Sequence, residues 1–292
     1  MYPMAPLIRT ALNTTARLAP GPAGRWAFHL FVRPLGRAPV KPGERELLAA
    51  ARTGTLHVRG KEVVTYAWGD GRRPVLLVHG WSSRASRLGA FAEELLARGY
   101  SPVAFDGPGH GESSGKATNI VEYREIIREL HARHGDFEAV VAHSFGVLAS
   151  LFALRDGVRT ARFVGLGGVG SFDLLMEGFR AGLGLDDRVV RAMRRYVERR
   201  LAPGEPGVWD RFGADHAPHE LGAPVLLFHD EDDDMVPLAQ ARFLARAHGE
   251  RARLVLTRGL GHRRILTDPG VVAAAVEFAT AGAVAPERVS RR

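Results

Sequence analysis

From about Leu56 onward the chain alternates short apolar, β-branched runs with amphipathic stretches, and this rhythm restricts the fold more than any other feature. The apolar runs fall at Glu62–Trp68, Pro74–Val78, Ser101–Phe105, Ala139–His143, Phe163–Leu166, Val225–His229 and Arg253–Leu256. Stretches with helical spacing lie between them, at Ser86–Arg98, Ile120–His134, Phe145–Leu154, Leu238–Ala247 and Gly270–Ala281. Strands and helices in alternation predict a largely parallel sheet in an α/β domain. Near-continuous apolar strands such as Val75-Leu76-Leu77-Val78 suit a sheet covered on both faces.

Three regions stand outside the rhythm. Pro- and Gly-rich punctuation at Pro20–Gly24 and Pro34–Gly43 sets off an N-terminal arm, residues 1–45. Residues 171–221 hold helix-like pieces and no strand, so they read as an insertion that divides the core into 46–170 and 222–283. The polar tail, 284–292, reads as frayed. At 292 residues the chain has ample length to bury a core, and the absence of cysteine excludes disulfides and thiolate metal sites.

A net charge of +8 raises the question of a nucleic-acid partner. Only Lys41, Lys61 and Lys116 are lysines among 40 basic residues, and the arginines run along the whole length. This reads as compositional bias on a solvated surface, with no nucleic-acid partner. No run reaches the roughly 18–20 apolar residues of a membrane span. The N-terminus lacks the features of a secretory signal, so a cytoplasmic location is expected. Trp26–Val32 reads first as a helix packed on the domain, and second as a stretch resting on a membrane surface.

The chemistry is concentrated at strand ends. Val140-Val141-Ala142-His143-Ser144-Phe145-Gly146 is an apolar strand running into a helix through a serine between small residues, one residue short of G-x-S-x-G. Such a turn exposes the serine hydroxyl. A serine nucleophile needs an imidazole base, a carboxylate that orients the base, and an oxyanion hole. In Val78-His79-Gly80-Trp81 a glycine lets the chain turn so that the Trp81 N–H faces the site, and the Phe145 N–H follows the serine. The carboxylate must come from Asp230-Glu231-Asp232-Asp233-Asp234, where Asp233 is the first choice and Asp232 the second. That run lacks the spaced ligands of a calcium loop, so no metal is expected. His262, in Gly259-Leu260-Gly261-His262, is the candidate base, on a loop whose glycines would let it swing over the sheet. Among competing histidines, His143 should point away from the Ser144 side by strand alternation, and His110 suits a structural role in a tight turn.

His-Gly-Trp, Asp-Gly-Pro-Gly-His-Gly, Ala-His-Ser-Phe-Gly, the acidic loop with Val-Pro, and Gly-Leu-Gly-His occur in the order in which the α/β-hydrolase superfamily has them. The chain resembles that superfamily from about Leu56 to Ala281. The resemblance implies an α/β-hydrolase fold, a triad of Ser144, Asp233 and His262, oxyanion donors at Trp81 and Phe145, and a helical lid over 171–221. It implies no cofactor and a small-molecule substrate. Ala142, in place of the first elbow glycine, is a departure by a single methyl group.

Gly165-Leu166-Gly167-Gly168-Val169-Gly170 matches a dinucleotide fingerprint in form. The second strand and terminal acid it needs are missing, and flexibility at the base of a lid explains it more simply. Within the lid, Val189, Val190, Met193, Tyr196, Val197 and Leu201 recur at helical spacing among arginines. Met193, Tyr196 and Val197 are therefore candidate substrate contacts. The expected activity is hydrolysis of a carboxylic ester with an apolar acyl or alcohol part. Thioester or C–C bond hydrolysis, and ligand binding without catalysis, are the alternatives.

Overall fold

The computed structural model describes residues 5–200, 203 and 207–282; the tail expectation and Leu201 lie outside them. Eight strands form one sheet in the order β1-β2-β4-β3-β5-β6-β7-β8. They are β1 (Arg52–Val58), β2 (Lys61–Ala67), β3 (Pro74–Val78), β4 (Ser101–Phe105), β5 (Ala139–His143), β6 (Phe163–Leu166), β7 (Val225–Asp230) and β8 (Ala252–Thr257). β1 pairs antiparallel with β2, and β2 antiparallel with β4; every other pairing is parallel.

The helices are α1 (Ala5–Leu18), α2 (Pro20–Phe31), α3 (Arg45–Ala49), α4 (Gly89–Ala97), α5 (Ile120–His134), α6 (Phe145–Arg155), α7 (Phe172–Leu183), α8 (Asp187–Arg200), α9 (Val208–Arg211), α10 (Leu238–His248), α11 (Gly261–Arg264) and α12 (Pro269–Thr280). Residues alternate between two cores along each central strand. Leu76, Val78, Val140 and Ala142 pack with α5, α6 and α10, whereas Val75, Leu77, Ala139 and Val141 pack with α4 and α12. Both sides of the pleat are buried, which is why these strands are apolar throughout. Side-chain caps fix where two of the flanking helices begin. Asn119 accepts from the Val121 and Glu122 amides at α5, and Asp268 from the Val271 amide at α12.

β1 escapes the sequence reading because it is an edge strand with mostly exposed residues, so no apolar run marks it. The N-terminal arm is also more ordered than its composition suggests. Pro20 and Pro22 do not break the chain there but sit in the first turn of α2, where a missing N–H costs nothing. Gly24 then allows a close crossing. A Cβ at Gly24 would fall 2.3 Å from the carbonyl oxygen of Ala192 on α8. Around the crossing, Leu12, Ala16, Ala23, Ala27 and Phe28 share a core cluster with Val189, Met193 and Val197. Farther on, Phe31 packs edge-on against Phe172 and Phe179 of α7, and the Arg37 guanidinium donates to the carbonyls of His110, Gly111 and Gly115.

Candidate active site

Ser144 joins β5 to α6 with φ 56° and ψ −123°. Positive φ is costly for a serine and persists only where the surroundings impose it. Here the Ser144 N–H donates 2.9 Å to the Leu166 carbonyl of β6, while the Ser144 carbonyl accepts from Val147 and Val169. Two glycines make room. A Cβ on Gly146 would stand 2.6 Å from the Val78 carbonyl oxygen, and one on Gly80 would stand 2.7 Å from the Ser144 Cβ. The Gly80–Trp81 turn is therefore pressed against the serine. Ala142, at the departure from the glycine motif, is fully buried in the core and its methyl group is accommodated.

The Phe145 N–H opens α6 and has no carbonyl one turn back within the helix, so it is free to face the site. The Trp81 ring stands edge-on to Phe145 and to His110. The loops behind this pair are held by buried polar groups. Asp106 accepts from the Ala85 and Glu112 amides and from the Tyr66 hydroxyl. The His79 Nδ1–H donates to the Gly80 carbonyl, and its Nε2 accepts from the Gly107 amide. His110 has the structural role expected of it: Nδ1–H donates to Pro108 and Nε2 accepts from the Ser82 amide.

The imidazole of His262 lies between Ser144 and Asp233. Its Nε2 is 3.0 Å from the serine Oγ and its Nδ1 is 2.8 Å from the Asp233 Oδ2. Donor and acceptor roles follow: Nδ1–H donates to the carboxylate, and Nε2 is left to accept from the hydroxyl. Asp233 Oδ1 accepts from the Met235 and Val236 amides, and its side chain is only 1% exposed. Burial pushes this carboxyl up, but the hydrogen bond from His262 and those from the two amides outweigh it and hold it below the usual carboxylate value. Asp232, the second choice, instead accepts from the Gly259 amide.

Four features of the site were not legible in the sequence. Asp230 is buried and accepts from the Leu260 amide and the Thr257 hydroxyl, so the histidine loop is pinned rather than free to swing. His143, expected to point away from Ser144, packs on the candidate base: its Nε2–H donates 2.9 Å to the His262 carbonyl, with ring centroids 4.6 Å apart. Asp106 opens the Asp-Gly-Pro-Gly-His-Gly turn, but its partners Tyr66 and Ala85 are distant in sequence. Gly167 is the fourth. It has φ +51°, and a Cβ there would meet His262 Nδ1 at 3.2 Å and Asp233 Oδ2 at 3.3 Å. The glycine run thus provides close approach, since Gly168 also packs on Val147 and Gly170 on Phe243 and Leu244.

Tyr196 faces α2, where its ring meets Phe28 and His29, and Met193 and Val197 are buried in the shared core cluster. Among the described residues no group of His, Asp and Glu is arranged to hold a metal ion, and no helix is long and apolar enough to cross a membrane.

Residues 75–275 match the family described as "Alpha/beta hydrolase family", a span of more than half the chain. The chain belongs to the alpha/beta hydrolase family. This hydrolase is 27% identical over 247 residues to a non-heme haloperoxidase of Rhodococcus erythropolis, covering 70% of this chain and 90% of the relative. A monoacylglycerol lipase of Mycolicibacterium smegmatis is 24% identical, with 70% and 87% covered. Among solved structures, a Paleococcus ferrophilus monoacylglycerol lipase superposes with a TM-score of 0.58 at 25% identity, covering 75% of this chain and 98% of that one. The esterase RhEst1 from Rhodococcus sp. ECU1013 superposes with 0.60 at 20% identity, covering 80% and 99%.

Gly167 gives a direct test of the geometry in this hydrolase. Gly167→Ala adds a left-handed alanine, at roughly 1–2 kcal/mol, and a methyl group against the His262–Asp233 pair. Displacements of this size in a reacting constellation cost up to about 100-fold in rate. We expect kcat to fall at least about tenfold on a p-nitrophenyl ester with KM little changed; wild-type kcat would show that the pair tolerates displacement.

Proposed function

We propose that this hydrolase cleaves carboxylic esters with an apolar acyl or alcohol part, through Ser144, His262 and Asp233. The observation that carries the proposal is the continuous hydrogen-bonded line from Ser144 Oγ through His262 to a buried Asp233 carboxylate. The names of the relatives, which include monoacylglycerol lipases and an esterase, support the bond type.

In the proposed reaction, Ser144 Oγ bonds to the ester carbonyl carbon as its proton passes to His262 Nε2. The carbonyl oxygen becomes an oxyanion and accepts from the Trp81 and Phe145 N–H groups. Each donor in such a hole is worth roughly 10²–10³ in rate. The carbon–alkoxy bond then breaks, the imidazolium gives its proton to the departing alcohol, and the acyl group stays on Ser144. Water next loses a proton to His262 as its oxygen attacks the acyl carbon. The serine leaves, regains the proton, and the acid is released. Asp233 stays ionised and balances the imidazolium at each stage.

Residues 171–221 serve as a cap in this scheme, and α1 and α2 belong to the cap through their packing on α8. Ser144 is 9% exposed, so the ester carbonyl must pass beneath a cover to reach it. Met193, Tyr196 and Val197 hold α8 in place, one step removed from the substrate.

A fluorophosphonate probe tests the proposal, because it phosphonylates only a serine activated by a base. Mass spectrometry of the labelled chain should find the adduct on the peptide containing Ser144. An unlabelled chain would instead favour a protein that binds a small ligand without cleaving it.

A further inference from the structure

Beside the Gly24–Ala192 crossing, α2 and the second half of α8 line a groove of about 960 Å³. Arg25, Arg195, Arg199 and Arg200 line it together with Trp26 and Tyr196, and no carboxylate is among its lining residues. The α8 lining positions Ala192, Arg195, Tyr196, Arg199 and Arg200 recur at three- and four-residue intervals, so they form one stripe of the helix. Among the described residues none of these four arginines is in an ion pair, whereas several charges nearby are matched. Arg180 pairs with Glu177, Arg194 with Asp173, and Arg17 with Asp186; Glu198 accepts from the Trp209 indole.

Two further observations bear on what such a groove would hold. The first 43 residues contain six basic side chains and no acidic one: Arg9, Arg17, Arg25, Arg33, Arg37 and Lys41. Apolar side chains are also exposed on α2 and on α1, which precedes it. Trp26 is 38% exposed inside the groove, and Leu18, two residues before it begins, is 82% exposed. Leu7, 65% exposed, is 11 residues before Leu18 and so lies on the same stripe of α1. Unpaired basic groups in a groove lined by no carboxylate, on helices that also expose a tryptophan and leucines, form the pattern of helices that rest in a lipid interface.

We propose that the α2–α8 groove docks this protein on an anionic phospholipid bilayer. The four arginines hold lipid phosphates, and Trp26 and Leu18 enter the headgroup–acyl boundary. Charge complementarity favours this occupant, and the exposed leucines give it a reason that a soluble polyanion would not. Because α8 lies in the proposed cap, docking would bring the cap to the phase where apolar esters dissolve. The docking itself is independent of the ester chemistry.

The test is flotation of the full chain with phosphatidylcholine vesicles, with and without about one third phosphatidylglycerol, at about 0.1 M and about 0.5 M salt. The wild type and Ser144→Ala should float equally with the anionic vesicles, and neither with neutral ones or at high salt. An interfacial arginine contributes roughly fivefold in partition, so Arg25→Glu with Arg199→Glu should lose at least about 25-fold. Both sites are exposed, and turnover of a soluble ester by this double variant should stay at the wild-type level, which reports its folding. Trp26→Ala should abolish the blue shift of tryptophan fluorescence that vesicles produce. Equal binding to neutral vesicles, or wild-type flotation of the double variant, would overturn the proposal. So would absence of flotation together with a gel shift of a single-stranded oligonucleotide, since that would assign the groove to a nucleic acid. Failure of the ester reading appears separately, as an inert Ser144 toward the fluorophosphonate.

Discussion

Ser144→Ala is expected to fold like the wild type and to lose at least about 10⁴-fold in kcat on a soluble p-nitrophenyl ester. The loss follows from position. Ser144 Oγ is the atom that meets His262 Nε2, and among the described residues no other hydroxyl bonds that imidazole. Removing one member of such a unit costs about as much as removing all of them, with only the oxyanion donors left to act. The fold should persist because the backbone strain at φ 56° is imposed by bonds that an alanine retains, namely its N–H to Leu166 and its carbonyl to Val147 and Val169. A thermal melt beside the kinetic assay separates the two effects. A variant with wild-type melting and more than about one per cent of the turnover would remove Ser144 from its role.

The second large effect is on stability and concerns acid. His110 and His143 are buried, and burial pushes each imidazole down to about 3; His79 is pushed in the same direction, chiefly by its complete burial. The carbonyls that accept from these rings favour the charged form, but burial outweighs them; in His79 and His110 the other ring nitrogen accepts an amide N–H, which it can do only unprotonated. In the unfolded chain a histidine titrates near about 6.5. Below that value the unfolded state binds protons that the folded state refuses, so stability falls as pH falls. The full contribution is present above about 6.5, and the loss accumulates down to about 3. Each such histidine costs about 1.4 kcal/mol per pH unit in that window. His110 and His143 together therefore remove about 4 kcal/mol by about pH 5, against a total stability of roughly 5–15 kcal/mol. Asp233, held below its ordinary value, acts in the same direction, but only below the usual carboxylate range. Urea unfolding at about pH 7.5 and about pH 5 should show a strongly lowered midpoint with an unchanged slope. An unchanged midpoint would mean that these rings accept protons in the fold.

The parts of the site that could be read in advance share one property: each is carried by a short local pattern. The serine elbow, the His-Gly-Trp turn and the loops holding Asp233 and His262 all follow strands that announce themselves by continuous apolar runs. The choice of Asp233 over Asp232 also had a local basis, in the Met235-Val236-Pro237 segment whose first two amides bond the carboxylate. What escaped was non-local or lacked an apolar signature. β1 is an exposed edge strand; of the arm only Trp26–Val32 read as a packed helix, because prolines at a helix start and glycine at a helix crossing are spelled like a linker.

The sequence by itself determined the sheet, its parallel centre, and the order in which a hydroxyl, a carboxylate and an imidazole arrive at strand ends. These depend on side-chain periodicity and on turns a few residues long, which are written locally. Only the tertiary structure decided that Gly167 yields space to the His262–Asp233 pair and that Asp230 and His143 pin the His262 turn. It alone showed that the first two helices pack on α8 and leave four arginines together beside a tryptophan. Those arrangements join residues from 30 to more than 160 positions apart, and close packing and hydrogen bonding at such separations become defined only once the chain has folded.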